Sequence, residues 1–262
     1  MLRISSGNQI SVLKTSPNDA FGEPLAEPGG TILLPHNYTI ERLQQDGSML
    51  ANFGYRDEYP FRLSESAGGK VYGGGLGTFV SAQTGPSGVV QRLDTIGGGF
   101  GGLDLAADQC TLYFTIPSGV WKLDVCHGGS PLALSTSLPS PSPGGIRVLT
   151  NGDILVADRT SLLRLDPAEN IVRNYGLPAN YVALDSSGAT AWIASARTIT
   201  RINLTTGAVI GVPFDTGSGI YGISTIGEWR AATAAATIPA LTGTGFLLLC
   251  LALGLLGIRR LL

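Results

Sequence analysis

The sequence predicts an all-β fold, a β-propeller of about six blades, each a four-stranded antiparallel sheet. Three observations lead there. A turn residue just before a blade's second strand recurs at Gly30, Gly69, Gln109, Gly152, Gly188 and Gly227, in steps of 39, 40, 43, 36 and 39 residues. A period of that size is the mark of a stacked or circular repeat. Within each period the apolar residues alternate or run three to five long, which is strand behaviour and not the three-and-four spacing of a helix. Finally, 37 glycines and 15 prolines supply the many tight turns of a meander.

The clearest unit is 144–188. A short strand leads to a turn at Asn151-Gly152, then Ile154 to Ala157, then Ser161 to Leu165, then Asn170 to Tyr175, before the pattern restarts at Tyr181. Four strands and three turns make one propeller blade. Other blades are expected at 22–54, 60–98, 101–138 and 181–214, with the PSPSP run at 139–143 as a stiff connector. Glycine clusters at 73–77 and 97–102 read as tight turns, because a phosphate-cradling loop needs a following helix and none is visible.

Residues 1–16 read as the last two strands of a blade, and GIYGISTIG at 219–227 as a lone first strand. The two ends are expected to share one blade, which closes the ring and protects its edges. That makes five whole blades and one split. Only about three strands are visible in the split blade, and MLRISSGNQISVL has no basic region followed by an apolar one. A start that is truncated or miscalled, from a seven-bladed parent, is the alternative.

The net charge is −2, with 14% of residues charged, so nothing suggests nucleic acid as a partner. Of the three cysteines, Cys110 and Cys126 flank TLYFTIPSGVWKLDV. Folding that stretch about Ser118 sets 110 opposite 126, near enough for a cross-strand disulfide and implying an oxidising compartment. A loop of roughly 15 residues gains about 3 kcal/mol on the chain-entropy model. The alternative is two unpaired blade cysteines, and a metal site there has only His127 in support.

An Ala/Thr-rich linker, 231–237, separates the propeller at 1–230 from a tail at 238–262. Residues 238–258 form an apolar run of 21, about 31 Å as a helix. That length spans a bilayer core of about 30 Å. Arg259 and Arg260 follow at once and place the C-terminus in the cytoplasm and the propeller outside. Cys250 reads as a plain apolar residue of the span.

The order Ile-Pro-X-Leu, apolar helix, Arg-Arg resembles the IPTL-type C-terminal sorting signal of Gram-negative bacteria, a relative of PEP-CTERM signals. Ile238, Pro239 and Leu241 match the motif, and Ala240 stands where threonine is usual. The resemblance implies export and processing by an exosortase-like membrane peptidase. GGLDLAADQCTLYFT at 101–115, VWKLDVC at 120–126 and RINLTTGAV at 201–209 resemble secreted bacterial NHL-like and SMP-30-like propellers. That resemblance implies a fold and a location more than an activity.

Two functions follow. The first is an exported, envelope-associated or cell-surface module, non-catalytic, that binds or supports structure, with envelope glycan or matrix as partner and no cofactor. The second is an SMP-30-like metal-dependent hydrolase with a divalent cation in the central channel. Its candidate ligands are Glu23, Glu65, Asp104, Asn180 and Asp185. Acidic residues at turns also serve ordinary Asx turns, as expected of Asp158 and Asp166. His36 is isolated, and no histidine–carboxylate–nucleophile set can be nominated. The sequons Asn37-Tyr38-Thr39 and Asn203-Leu204-Thr205 read as incidental.

Overall fold

The computed structural model describes residues 2–4, 10–12, 21–27, 29–54, 60–75, 79–95, 99, 101–134, 137–140, 143–217 and 219–225. All of these fall in the first of the chain's two units, Met1–Ala231. Strands β1 (Leu2–Ile4) and β2 (Ile10–Val12) pair with each other as a two-stranded sheet, Arg3 opposite Ser11.

Five four-stranded antiparallel meanders follow. The first blade is β3 (Leu25–Ala26), β4 (Ile32–His36), β5 (Thr39–Leu43) and β6 (Met49–Asn52). The second is β7 (Pro60–Glu65), β8 (Lys70–Gly75), β9 (Phe79–Thr84) and β10 (Gln91–Thr95). The third is β11 (Gly102–Leu105), β12 (Thr111–Ile116), β13 (Gly119–Asp124) and β14 (Leu132–Ala133). The fourth is β15 (Ile146–Val148), β16 (Ile154–Ala157), β17 (Leu162–Leu165) and β18 (Ile171–Asn174). The fifth is β19 (Tyr181–Leu184), β20 (Thr190–Ser195), β21 (Thr198–Asn203) and β22 (Val209–Asp215).

The repeat marker is a conformation. Gly30, Gly69, Gln109, Gly152 and Gly188 all have left-handed φ, at 84°, 76°, 59°, 84° and 67°. Each donates its N–H to the carbonyl three residues back, on Glu27, Ser66, Ala106, Leu149 and Asp185, at 2.9 to 3.0 Å. The turn demands a positive φ, which glycine supplies without a Cβ penalty. Gly227 lies outside the described residues.

Blades pack face to face, so their middle strands are covered on both sides. This is why ILVA in β16 is buried throughout while IVRN in β18 is largely exposed. Separate apolar cores join first to second blade (Leu25, Phe53, Leu63, Val71) and second to third (Tyr72, Val80, Leu103, Phe114). Others join third to fourth (Val120, Ile146, Val156, Leu163) and fourth to fifth (Leu155, Leu162, Val182, Ile193). Each buried Leu, Ile, Val or Phe contributes roughly 1.5–3 kcal/mol.

The seam between fifth and first blades is built differently. Among the described residues no apolar cluster crosses it; Ile32, Leu34 and Leu43 pack with Phe21 within the first blade. Residues 219–225 span it instead, without forming a strand. The Thr225 hydroxyl donates to the Leu184 carbonyl of β19. The Ser224 hydroxyl accepts the Ala26 N–H of β3 at 2.9 Å. Ile220 N–H donates to Ala196 O at 2.9 Å.

Two expectations are therefore corrected. The described residues form five four-stranded blades, not six or seven. The expected split blade is absent from them, because β1 and β2 pair only with each other and 219–225 is held by side-chain hydroxyls, not by a ladder. The second correction concerns the membrane. Among the described residues no helix is long and apolar enough to cross one, and every named element is a strand of two to seven residues. The run at 238–258 lies outside the described residues, as do the linker 231–237 and the tail. The single-pass anchor is withdrawn, because nothing described in the fold provides a spanning segment. With it go the claims that hung on it: the envelope placement with an outside propeller and cytoplasmic C-terminus, and the exosortase-like partner.

Candidate functional site

The innermost strands converge at their N-terminal ends. Crowding there is tight enough to dictate residue size. A Cβ on Gly144 would lie 2.1 Å from the Asn180 carbonyl oxygen of the fifth blade, and one on Gly101 2.2 Å from Pro143 O. Only glycine fits such approaches.

Counted back four residues from the start of each first turn, one position recurs around the axis: Glu23, Arg62, Gly102, Gly145 and Tyr181. Ser64, Asp104 and Arg147 stand two residues further along their own strands. These two rings build an axial network. Glu23 Oε2 lies 3.3 Å from Arg62 Nε, and Glu23 Oε1 3.5 Å from Arg147 Nη2, with all three side chains 5–6% exposed. The Arg62 guanidinium sits 4.5 Å from the Phe61 ring centre and 4.8 Å from that of Tyr181. Its Nε donates to Gly101 O at 2.6 Å and its Nη1 to Phe61 O at 3.0 Å. The two glycines of the ring let backbones of neighbouring blades touch: a Cβ on Gly102 would lie 2.8 Å from Gly145 Cα, and one on Gly145 3.0 Å from Val182 N.

Asp104 ties the next layer together. It accepts the Ser64 hydroxyl at 3.4 Å on Oδ1 and the Val148 N–H at 2.8 Å on Oδ2. Charges of the first, second and fourth blades are thus paired on the axis, with Asp104 of the third hydrogen-bonded beside them and the Tyr181 ring of the fifth against Arg62. A buried pair costs desolvation that its attraction only partly returns, but removing one partner strands the other.

The remaining metal candidates are not brought together with Glu23 and Asp104. Glu65 faces Arg42 at 3.7 Å, beside the tighter Arg42–Glu27 pair at 2.7 Å. Asn180 serves through its backbone, donating to Ala194 O and accepting from Gly145 N. Asp185 sits in the first turn of the fifth blade. Burial pushes its carboxyl up, but the Thr190 and Ser187 hydroxyls and Arg201 outweigh that and hold it down at about 2. Among the described residues, no three His, Cys, Asp or Glu side chains are placed to hold a metal ion.

Asp166 is the expected turn residue, held low chiefly by the Asn170 N–H. Asp158 is also at a turn, yet fully buried, and accepts the Ser140 N–H of the connector at 3.0 Å. His36 Nδ1 meets Glu41 at 2.9 Å, and its ring lies against Phe21 at a 49° tilt, centroids 4.8 Å apart. Cys110 and Cys126 form a disulfide, Cα atoms 5.1 Å apart. Its register differs from a fold about Ser118: Ile116 pairs with Gly119 across a two-residue turn, so Cys110 opposes Val125. Cys126 reaches back because the Asp124 side chain accepts the 126 and 127 N–H groups, curling the chain there. Ile238, Pro239, Ala240, Leu241, Arg259 and Arg260 lie outside the described residues.

Sequence reasoning missed Arg62 and Arg147. The available signal was a lone arginine inside an apolar first strand, in PFRLSE and in IRV.

No family model matches the sequence, and no curated protein matches it. Solved structures share the fold. A chain in "Crystal structure of Nidogen/Laminin Complex" is similar with a TM-score of 0.70 at 13% identity, over 85% of this chain and 92% of that one. "Streptogramin B lyase structure" is similar with a TM-score of 0.61 at 16% identity, over 88% of this chain and 83% of the other. At such identities the likeness is one of fold alone, that of a β-propeller. It carries nothing on bacterial origin or on an IPTL-type signal.

Proposed function

We propose that this chain is a rigid recognition module that binds a protein partner on one face and does no chemistry on its axis. The observation that carries the reading is the Glu23–Arg62–Arg147 triad. A catalytic channel needs a carboxylate free to meet substrate or metal, whereas Glu23 is sunk between two guanidinium groups. The face that holds the starts of the inner strands and the second-to-third-strand turns offers Tyr221 at 67% and Tyr38 at 44% exposure, and the same turns of the fourth and fifth blades carry exposed Arg159 and Arg197, the latter 3.1 Å from Asp215. Tyrosine and arginine are enriched among interface anchors, and rigid scaffolds place recognition on loops. One similar fold was solved in a Nidogen/Laminin complex, which supports a protein partner. Kinship with secreted NHL-like and SMP-30-like propellers, with 1–230 as the recognising unit, belongs to the same proposal.

Peptides selected from a random display library on the full-length protein test it. Their affinity is expected to fall at least about tenfold, some 1.4 kcal/mol, in a Tyr38→Ala/Tyr221→Ala/Arg159→Ala variant and to survive His127→Ala on the opposite face. Binding that only His127→Ala removes would overturn the reading. So would metal-dependent lactone turnover abolished by Glu23→Gln.

A further inference from the structure

The third blade departs from the other four at one position. Its left-handed turn residue is Gln109 and not glycine. A side chain is disfavoured in that conformation, yet here it is used. Gln109 Oε1 accepts the Ala67 N–H at 2.7 Å, and Ala67 belongs to the equivalent turn of the second blade. Its Nε2 donates to Ala106 O at 3.2 Å, closing the turn on itself. The next residue is Cys110. Its disulfide partner Cys126 is exposed, with Sγ 3.8 Å from the Gln109 carbonyl oxygen.

The disulfide adds little to strand pairing. The β12–β13 ladder is already set by six pairs from Thr111↔Asp124 to Ile116↔Gly119, and both cysteines lie just beyond its last rung. What the bond does constrain is the pair of turns past that rung, 106–110 and 125–131. The second of these carries Gly128 and Gly129 at positive φ, and its start is held by Asp124, which accepts the Cys126 and His127 N–H groups, ahead of the two-residue strand β14.

We infer that the Cys110–Cys126 bond is a redox-controlled clamp: it holds Gln109 in its left-handed turn and thereby ties the third blade to the second. A dithiol reductant opens it. Thiolate attack on one sulfur forms a mixed disulfide and releases one cysteine as a thiol. The reductant's second thiol then displaces the other cysteine, so the reductant leaves as its own cyclic disulfide with two electrons and two protons passed to the protein. Without the bond the turn is held only by its own hydrogen bonds, from Gln109 N–H to Ala106 O and from the Cys110 and Thr111 N–H groups to Asp108, and it opens more often to forms in which the Ala67 N–H loses its acceptor.

Amide hydrogen exchange of the full-length protein, read on peptides covering Ala67, tests this against thiol counts. Reduction with dithiothreitol is expected to speed exchange at 66–70 about tenfold, and oxidised Gln109→Gly to match that rate. Reduction of Gln109→Gly should add nothing further, and the fourth-blade turn at 149–153 should not change. Glycine is the residue the other four blades carry there, so the variant is expected to fold; a Cys110→Ser/Cys126→Ser variant gives the reduced state by a second route. Unchanged exchange at Ala67 with both cysteines free would overturn the clamp. So would an equal response to reduction with and without Gln109, or free thiols at 110 and 126 in the unreduced protein.

Discussion

The carboxylate of Glu23 stands 3.3 Å from the guanidinium Nε of Arg62, across the join between the first and second blades, and both side chains are 5% exposed. Because neither charge reaches water, each is stable only while the other is present. Arg62→Ala is therefore expected to cost about 3–5 kcal/mol, read as a fall in the urea midpoint at unchanged slope. A joint Glu23→Leu/Arg62→Met/Arg147→Met change, which strands no member of the triad, should cost less than Arg62→Ala alone. Equal losses would mean the pair is not coupled.

Ser224 closes the seam between the fifth and first blades through one bond to Ala26 N. Ser224→Ala removes that acceptor, and the loss of one such hydrogen bond costs about 0.5–1.5 kcal/mol. Exchange at Ala26 is expected to quicken while exchange at Leu63 and Leu103 holds. A variant indistinguishable from wild type at Ala26 would show that the hydroxyl does not close the ring.

Asp185 makes stability acid-sensitive. Its folded-state value of about 2 lies below the ordinary 3.8. A depressed carboxyl contributes stability that is present in full above the unfolded value and lost as the pH falls through the folded one. The loss should run from about pH 4 down to pH 2 and total about 2 kcal/mol. Asp185→Asn is expected to flatten that part of the stability–pH curve. Thr190→Val should move the carboxyl upward in a carbon-detected NMR titration, since the Thr190 hydroxyl donates to it at 2.6 Å.

Strand β22 is the longest edge, VIGVPFD, with Val212 90% exposed. Uncharged exposed edges invite pairing with other chains. Pro213 removes a donor there and Gly211, at φ 73°, bends the strand. Pro213→Val with Gly211→Val should raise self-association, visible as a larger species by light scattering. A monodisperse double variant would show that these two residues do not blunt the edge.

The fold was legible wherever the signal was local. The turn marker at Gly30, Gly69, Gln109, Gly152 and Gly188 is a demand of one turn on its own residue, so the spacing exposes it without any knowledge of the ring. The axial site was legible only in principle. Glu23, Arg62 and Tyr181 share a place in the repeat, but only an alignment on the turns brings Arg62 beside a carboxylate 39 residues earlier. The seam was not legible. GIYGISTIG alternates as a strand does, and nothing in a local pattern says that the Ser224 and Thr225 hydroxyls, and not a ladder, will hold it. The register at Cys110 failed by one residue because a two-residue and a three-residue turn at Pro117-Ser118 look alike until the ladder is counted. The membrane reading rested on length and apolarity alone, which need no tertiary partner and so are checked by none of the blades.

The missing side chain at Gly144 has a consequence for what that position can accept. A methyl group there would have to push the fourth and fifth blades apart at the hub, where their backbones are already in contact. A single hydrogen at position 144 thus sets how closely the Asn180 carbonyl can lie against the fourth blade.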